Sequence, residues 1–127
     1  MRHVEFTFLE STLRRGSSLE QFMGAGNDEA SQTIKWLELR PTTEGIEIWS
    51  FEAPDVGSVE FTDIYEFGAD DIVEPVALLS SEKDALAFAH NQLGALPEFW
   101  VNATMAGDEY LTFVAAGRSQ DWRVVRT

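Results

Sequence analysis

Residues 33–54, TIKWLELRPTTEGIEIWSFEAP, decide the fold. TIKWLELR ends at Pro41 and GIEIWSFE ends at Pro54, and turn formers lie between them, which predicts two antiparallel strands joined around PTTEG. On the amino-terminal side, Val4, Phe6 and Phe8 alternate with Glu5 and Thr7, and this period of two predicts a first strand. SSLEQFMGAG, with a serine cap and a short Leu19, Phe22, Met23 stripe, reads as a brief helical turn or loop. On the other side, SVEFTDIYEF and DIVEPVALL supply two more strands, punctuated by Gly57 and Gly68.

After residue 79 the period changes. SSEKDALAFAHNQLG carries serine caps, a Leu86, Ala89, Leu93 stripe and Gly94 at the C-cap position, which predicts a helix. GDEYLTFVAAGR repeats the scheme, with Asp108 as cap, Leu111, Val114 and Ala115 as stripe and Gly117 as stop. ALPEFWVNATM carries no clear period, with core packing the plainer reading for Phe99 and Trp100, and DWRVVRT reads as a final strand or a tail. Strands followed by helices predict an α+β fold: an antiparallel sheet of about five strands, two C-terminal helices packed on one face, and one domain over residues 1–127.

Hydrophobic residues make up 44% of the chain and aromatics 12%, enough for a packed core rather than disorder. The absence of cysteine excludes a disulfide framework, a thiolate zinc site and a cysteine nucleophile. MRHVEFTFLE lacks the basic patch and apolar run of an export signal, and no stretch approaches the roughly 18 apolar residues of a membrane span. The expectation is a cytoplasmic chain without a membrane partner.

Charge is the strongest signal. Twenty-two acidic against nine basic residues give a formal charge of -13, beyond the roughly 2 to 8 units that keep a small domain soluble. Residues 45–74 alone hold nine carboxylates, and no lysine or arginine occurs from Pro41 through Glu82. Such a chain is repelled by nucleic acid and anionic lipid, so the expected partner is a basic protein and not a nucleic acid.

Pairing residues 46–52 with 59–67 around APDVGS sorts this region into two faces. Ile46, Ile48, Ser50, Val59, Phe61, Tyr65 and Phe67 form a core face, with Glu52 and Asp63 as polar exceptions. Glu47, Trp49, Phe51, Glu60, Thr62, Ile64 and Glu66 form the other, which reads either as an ordinary solvated face or as an interface. Aromatic anchors in a charged rim carry contact energy while the charges set encounter rate and partner choice. The candidate contacts are therefore Glu47, Trp49, Phe51, Glu60, Thr62, Glu66, Asp70 and Asp71.

Catalytic chemistry finds little support. Asp63 and Glu52 on a core face would suit general acid and base work, but nothing accompanies them. His3 and His90 are the only histidines, with no HExxH spacing for zinc, and no serine sits in a G-x-S-x-G turn. Asp70, Asp71 and Glu74 are hard oxygen donors without the spacing of a calcium loop. GAGNDEAS, at 24–31, lacks the lysine of a phosphate loop and carries Asp28 and Glu29, which repel phosphate. No catalytic residue, metal site or cofactor is expected.

In its small size, strong acidity, order of strands then helices and the tail from DALAFAHNQLG to DEYLTFVAAGR, the chain resembles the immunity proteins of bacterial polymorphic-toxin and contact-dependent growth inhibition systems. The resemblance implies a cytoplasmic, non-catalytic protein that covers the basic active-site surface of a cognate toxin domain, nucleases among them. Two other classes stay open. One is a small α+β enzyme or ligand-binding domain with a pocket between sheet and helices using Asp63, Glu52 or His90. The other is a subunit that buries Trp49 and Phe51 in a homodimer.

Overall fold

The hairpin forms as its sequence predicts. In the computed structural model, which describes residues 2–26 and 32–123, strands β2 (Thr33–Thr42) and β3 (Gly45–Pro54) pair antiparallel along their whole length, from Thr33 opposite Pro54 to Thr42 opposite Gly45. Strand β1 (Leu19–Ala25) adds to the free side of β2, the short β4 (Ala77–Leu79) to the free side of β3, and β5 (Val101–Asn102) to β1. The order is β4-β3-β2-β1-β5 and every pairing is antiparallel. With helices α1 (Leu9–Arg14), α2 (Glu82–Leu93) and α3 (Ala106–Ala115), the fold is α+β.

The sheet is covered on both sides because β2 presents apolar residues on both. Leu37 and Leu39 point to one face, which we call the back, with Leu19, Ile46 and Ile48 beside them. Ala85 and Ala89 of α2 and Leu9 and Leu13 of α1 close over this layer. Ile34 and Trp36 point to the front face with Phe22 and Ala53, under Tyr110 and Phe113 of α3. The two C-terminal helices thus divide between the faces, each filling its own half of a two-sided core. Helix α2 is capped as expected: Ser81 Oγ accepts from the Asp84 N–H at 3.1 Å, and Gly94 closes the last turn at φ 80.

Other elements depart from expectation. Val4 to Phe8 is not a strand but leads through a 3-10 turn (Phe6–Phe8) into α1, whose buried Leu9, Thr12 and Leu13 follow helical spacing and leave Phe6 and Phe8 exposed. Leu19 to Ala25 is a strand instead of a helical turn. Leu19, Glu20, Gln21 and Phe22 are all buried, so no alternation marks it. In α3 the buried stripe is Glu109, Tyr110 and Phe113; Leu111 and Ala115 are exposed, and Asp108 lies in the first turn rather than at the cap. Phe99 and Trp100 are core residues, as read. Residues 27–31 of the glycine-rich segment and 124–127 of the ending lie outside the described residues. No helix among the described residues is long and apolar enough to cross a membrane.

The second hairpin, 46–52 with 59–67, does not form. One edge of β3 is taken by β2 and the other, at Ile46–Ile48, by β4, which occupies the positions where the second half of 59–67 would pair. Residues 55–76 instead run as a long connection between β3 and β4, with one reversal at Ser58–Phe61 and a 3-10 turn at Ile64–Glu66. The face assignment falls with the pairing. Ile64, expected outside, is buried, whereas Val59, Phe61 and Tyr65, expected inside, are exposed; Phe67 is buried as read.

Candidate binding surface

Three of the expected contact residues stand on the front face of β3, where Glu47, Trp49 and Phe51 follow one another at alternate positions. Helix α3 lies over the β1 side of this face, and among the described residues no α-helix covers Trp49 and Phe51, which are half-buried rather than sealed. Their exposure is limited by one another. Trp49 and Phe51 are parallel within 6° at 6.1 Å, Phe51 stacks on Trp36 at 5.4 Å, and Tyr65 meets the edge of Trp36 at 5.8 Å. Arg40 closes the row with its guanidinium 4.6 Å from the Trp49 ring centre, gripped by Glu38 through bonds of 2.8 and 3.0 Å. The Trp49 indole N–H donates to Glu47 at 2.9 Å. The rings form a stack capped by a cation, whose outer edges are what a partner could touch.

The other five expected contacts, Glu60, Thr62, Glu66, Asp70 and Asp71, all lie in the 55–76 connection. Of these, Glu60, Glu66, Asp70 and Asp71 are exposed, together with Asp63 and Glu74, and none of the six carboxylates has a cationic partner among the described residues. Sequence reasoning missed the apolar half of this surface. Of the twelve large apolar side chains exposed among the described residues, eight fall between Val56 and Leu78: Val56, Val59, Phe61, Tyr65, Ile72, Val73, Val76 and Leu78. The signal was there in the β-like composition of SVEFTDIYEF and DIVEPVALL, but it was assigned to strands.

Two anchors hold this connection in place. At its start, the Asp55 side chain is 1% exposed and takes Arg118 Nε at 2.7 Å, Arg118 Nη2 at 3.3 Å and the Tyr110 hydroxyl at 2.6 Å. In its middle, the Tyr65 hydroxyl donates to the buried Glu20 of β1. The backbone N–H groups of Thr104 and Ala106 lie near enough to Glu20 to favour its charged form. Thr104 is left-handed at φ 71 and Met105 right-handed, a succession that turns backbone N–H groups into an anion-binding concavity. Helix α3 has no side-chain cap of its own, and the Glu20 carboxyl of β1 stands near its start.

Burial is the largest influence on Glu20 and raises its pKa above 4.5; Glu38, opposite it in the sheet, adds to this, while Tyr65 and the two N–H groups oppose it. A carboxyl whose folded pKa is raised contributes stability below its unfolded value, and that contribution is lost as pH climbs through the folded one. Glu20→Gln cannot ionise. Its stability relative to wild type should therefore improve as pH goes from about 4.5 to 7 in urea titrations; a difference that is flat or moves the other way would show that the bonds outweigh burial.

Asp63, Glu52 and His90 do not meet in one pocket. Asp63 is exposed, and Glu52 lies on the back face, taking the Thr33 hydroxyl, so the carboxylate pair is not assembled. His90 lines an apolar hollow of about 190 Å³ with Phe6, Leu86 and Trp100, smaller than the roughly 300 Å³ at which ligand pockets begin. Its Nδ1–H donates to Ala95 O at 2.7 Å. His3 bridges to Val101 and bonds Glu109 at 2.9 Å, beside Arg2, and so pins the amino terminus to α3. No group of three or more metal-ligating side chains converges among the described residues, Asp70, Asp71 and Glu74 included. A more open cleft of about 520 Å³, lined by Thr62, Asp63, Tyr65, Thr104, Gly107 and Asp108, adjoins the acidic connection and is itself acidic. The chain matches no protein-family model, no curated protein and no solved structure.

Proposed function

We propose that this chain is a binding protein that neutralises a basic protein partner, as an immunity protein does a cognate toxin domain, by covering the partner's cationic active-site surface in the bacterial cytoplasm. One observation carries the reading: six exposed carboxylates without a cationic partner among the described residues and eight exposed apolar side chains share residues 56–78, a span with no lysine or arginine. Mutual repulsion among such charges costs stability in the free protein, and a cationic surface relieves it. The acidic 520 Å³ cleft offers room for a lysine or arginine side chain of that surface, next to Thr62. A toxin that works on nucleic acid presents the required charge at its substrate cleft, and carboxylates compete there with phosphates.

The test is affinity capture from the organism that encodes the chain, at low and high salt, with wild type and a Glu60→Lys/Glu66→Lys variant. A basic protein held by wild type, released by salt and held at least about tenfold less by the variant is the expected result. Its gene should lie next to that of this chain. Retention of nothing basic at either salt would remove the reading.

A further inference from the structure

Residues 70–76 carry three exposed apolar side chains, Ile72, Val73 and Val76. The Asp70 N–H bonds Glu52 O at 3.2 Å and the Val76 N–H bonds Ile48 O at 2.7 Å, so both ends of this loop are clipped to one strand. The two acceptors are four residues apart, about 13 Å along β3. Six residue steps can reach roughly 20 Å, so the segment has slack beyond that span. Within it, Ile72 is 40% exposed and Val73 is 89% exposed, more than any other large apolar side chain described. Asp70, Asp71 and Glu74 flank them, and Pro75 fixes the return to the sheet. A loop held at both ends gives up little freedom when it is bound.

We infer that the partner surface is amphipathic, with lysine or arginine around an apolar centre, and that Val73 is the anchor seated in that centre. The inference rests on the reading above and adds what charge alone does not specify. A uniformly basic groove would satisfy Asp70, Asp71 and Glu74 but leave Ile72 and Val73 against charge. A wholly apolar surface would strand the carboxylates without water or counter-charge. Only cations flanking an apolar seat complement both. A second copy of this chain would bring carboxylates against carboxylates.

Two synthetic peptides of equal length and equal charge serve as probes, one of lysine and leucine with the leucines on a single helical face, the other of lysine and serine. Titration calorimetry near physiological ionic strength, about 0.15 M, compares wild type, Val73→Ser, Asp70→Asn/Asp71→Asn and, as a control on the back face, Phe6→Ser. Wild type and Phe6→Ser should prefer the leucine peptide by about tenfold. Val73→Ser should bring the two peptides close to parity, and the double amide variant should weaken both. Val73 is too exposed for its loss to unfold the chain. Equal binding of the two peptides to wild type, or a preference that survives Val73→Ser, would overturn the amphipathic anchor and leave the charge-based reading standing. Binding of neither peptide would overturn both. Dimerisation of wild type in sedimentation, abolished by Val73→Ser, would overturn the anchor in favour of self-pairing.

Discussion

Replacing Arg118 with alanine is expected to lower folding stability by about 3–5 kcal/mol, measured by urea or guanidinium unfolding. The reason is the partner left behind. Asp55 is 1% exposed, and Arg118 meets both its oxygens while also donating to Gly57 O at 3.1 Å. Without the guanidinium the carboxylate keeps only the Tyr110 hydroxyl, whose pKa burial and then Asp55 push up to about 12, so the phenol stays a donor. A buried charge with one neutral donor is far worse off than one with a fork. The double variant Asp55→Ala/Arg118→Ala should therefore be less damaged than Arg118→Ala alone. If instead the double variant is the weaker of the two, the pair contributes net attraction beyond avoiding an orphaned charge.

Gly57→Ala is expected to cost about 3 kcal/mol. A Cβ at this position would overlap the Phe67 ring and the Phe61 carbonyl and stand 2.7 Å from the Tyr110 hydroxyl. Backbone and buried rings cannot step aside as a surface side chain could. The change should dislodge the start of the acidic connection from α3, so proteolytic nicking between residues 57 and 67 should accompany the stability loss. Gly68→Ala is the comparison. Nothing lies near its Cβ and only its φ of 87 resists, so about 1 kcal/mol is expected there. Equal costs at the two sites would mean that the Phe67 ring and the Phe61 carbonyl give way, so that the close approach is not what requires glycine at position 57.

Local signals were legible and long-range ones were not. The 33–54 hairpin and the helix from Glu82 to Leu93 could be read because turn residues, caps and Gly94 act within a few positions. Strand β1 could not. Its Glu20 and Gln21 are buried polar residues whose partners are distant: Glu20 takes the Tyr65 hydroxyl and stands near the start of α3, and the Gln21 amide bonds Leu96 N and O at 2.9 and 3.0 Å, as a strand would. The 59–67 segment has strand composition, but β4 holds the outer edge of β3 at Ile46–Ile48, and Ile64 and Phe67 pack into the cluster under α3 instead. For the site, charge was visible as a run without cations, while which side of Ile64 or Tyr65 faced water depended on a pairing that does not exist. Trp49 and Phe51 were expected as free anchors. Arg40, Trp36 and each other occupy their ring faces.

The β1–β5 pairing closes the sheet late, with Val101 opposite Glu20, 81 positions earlier in the chain. During synthesis at about 5–20 residues per second, one side of β1 waits roughly 4–16 s for its neighbour. Through that interval the ribosome-bound chain has an open strand border and an uncovered Phe22, and the acidic connection emerges before either is sealed. Its like charges then repel neighbouring nascent copies, so the residues proposed to attract a partner in the finished protein would also protect the unfinished one from its own kind.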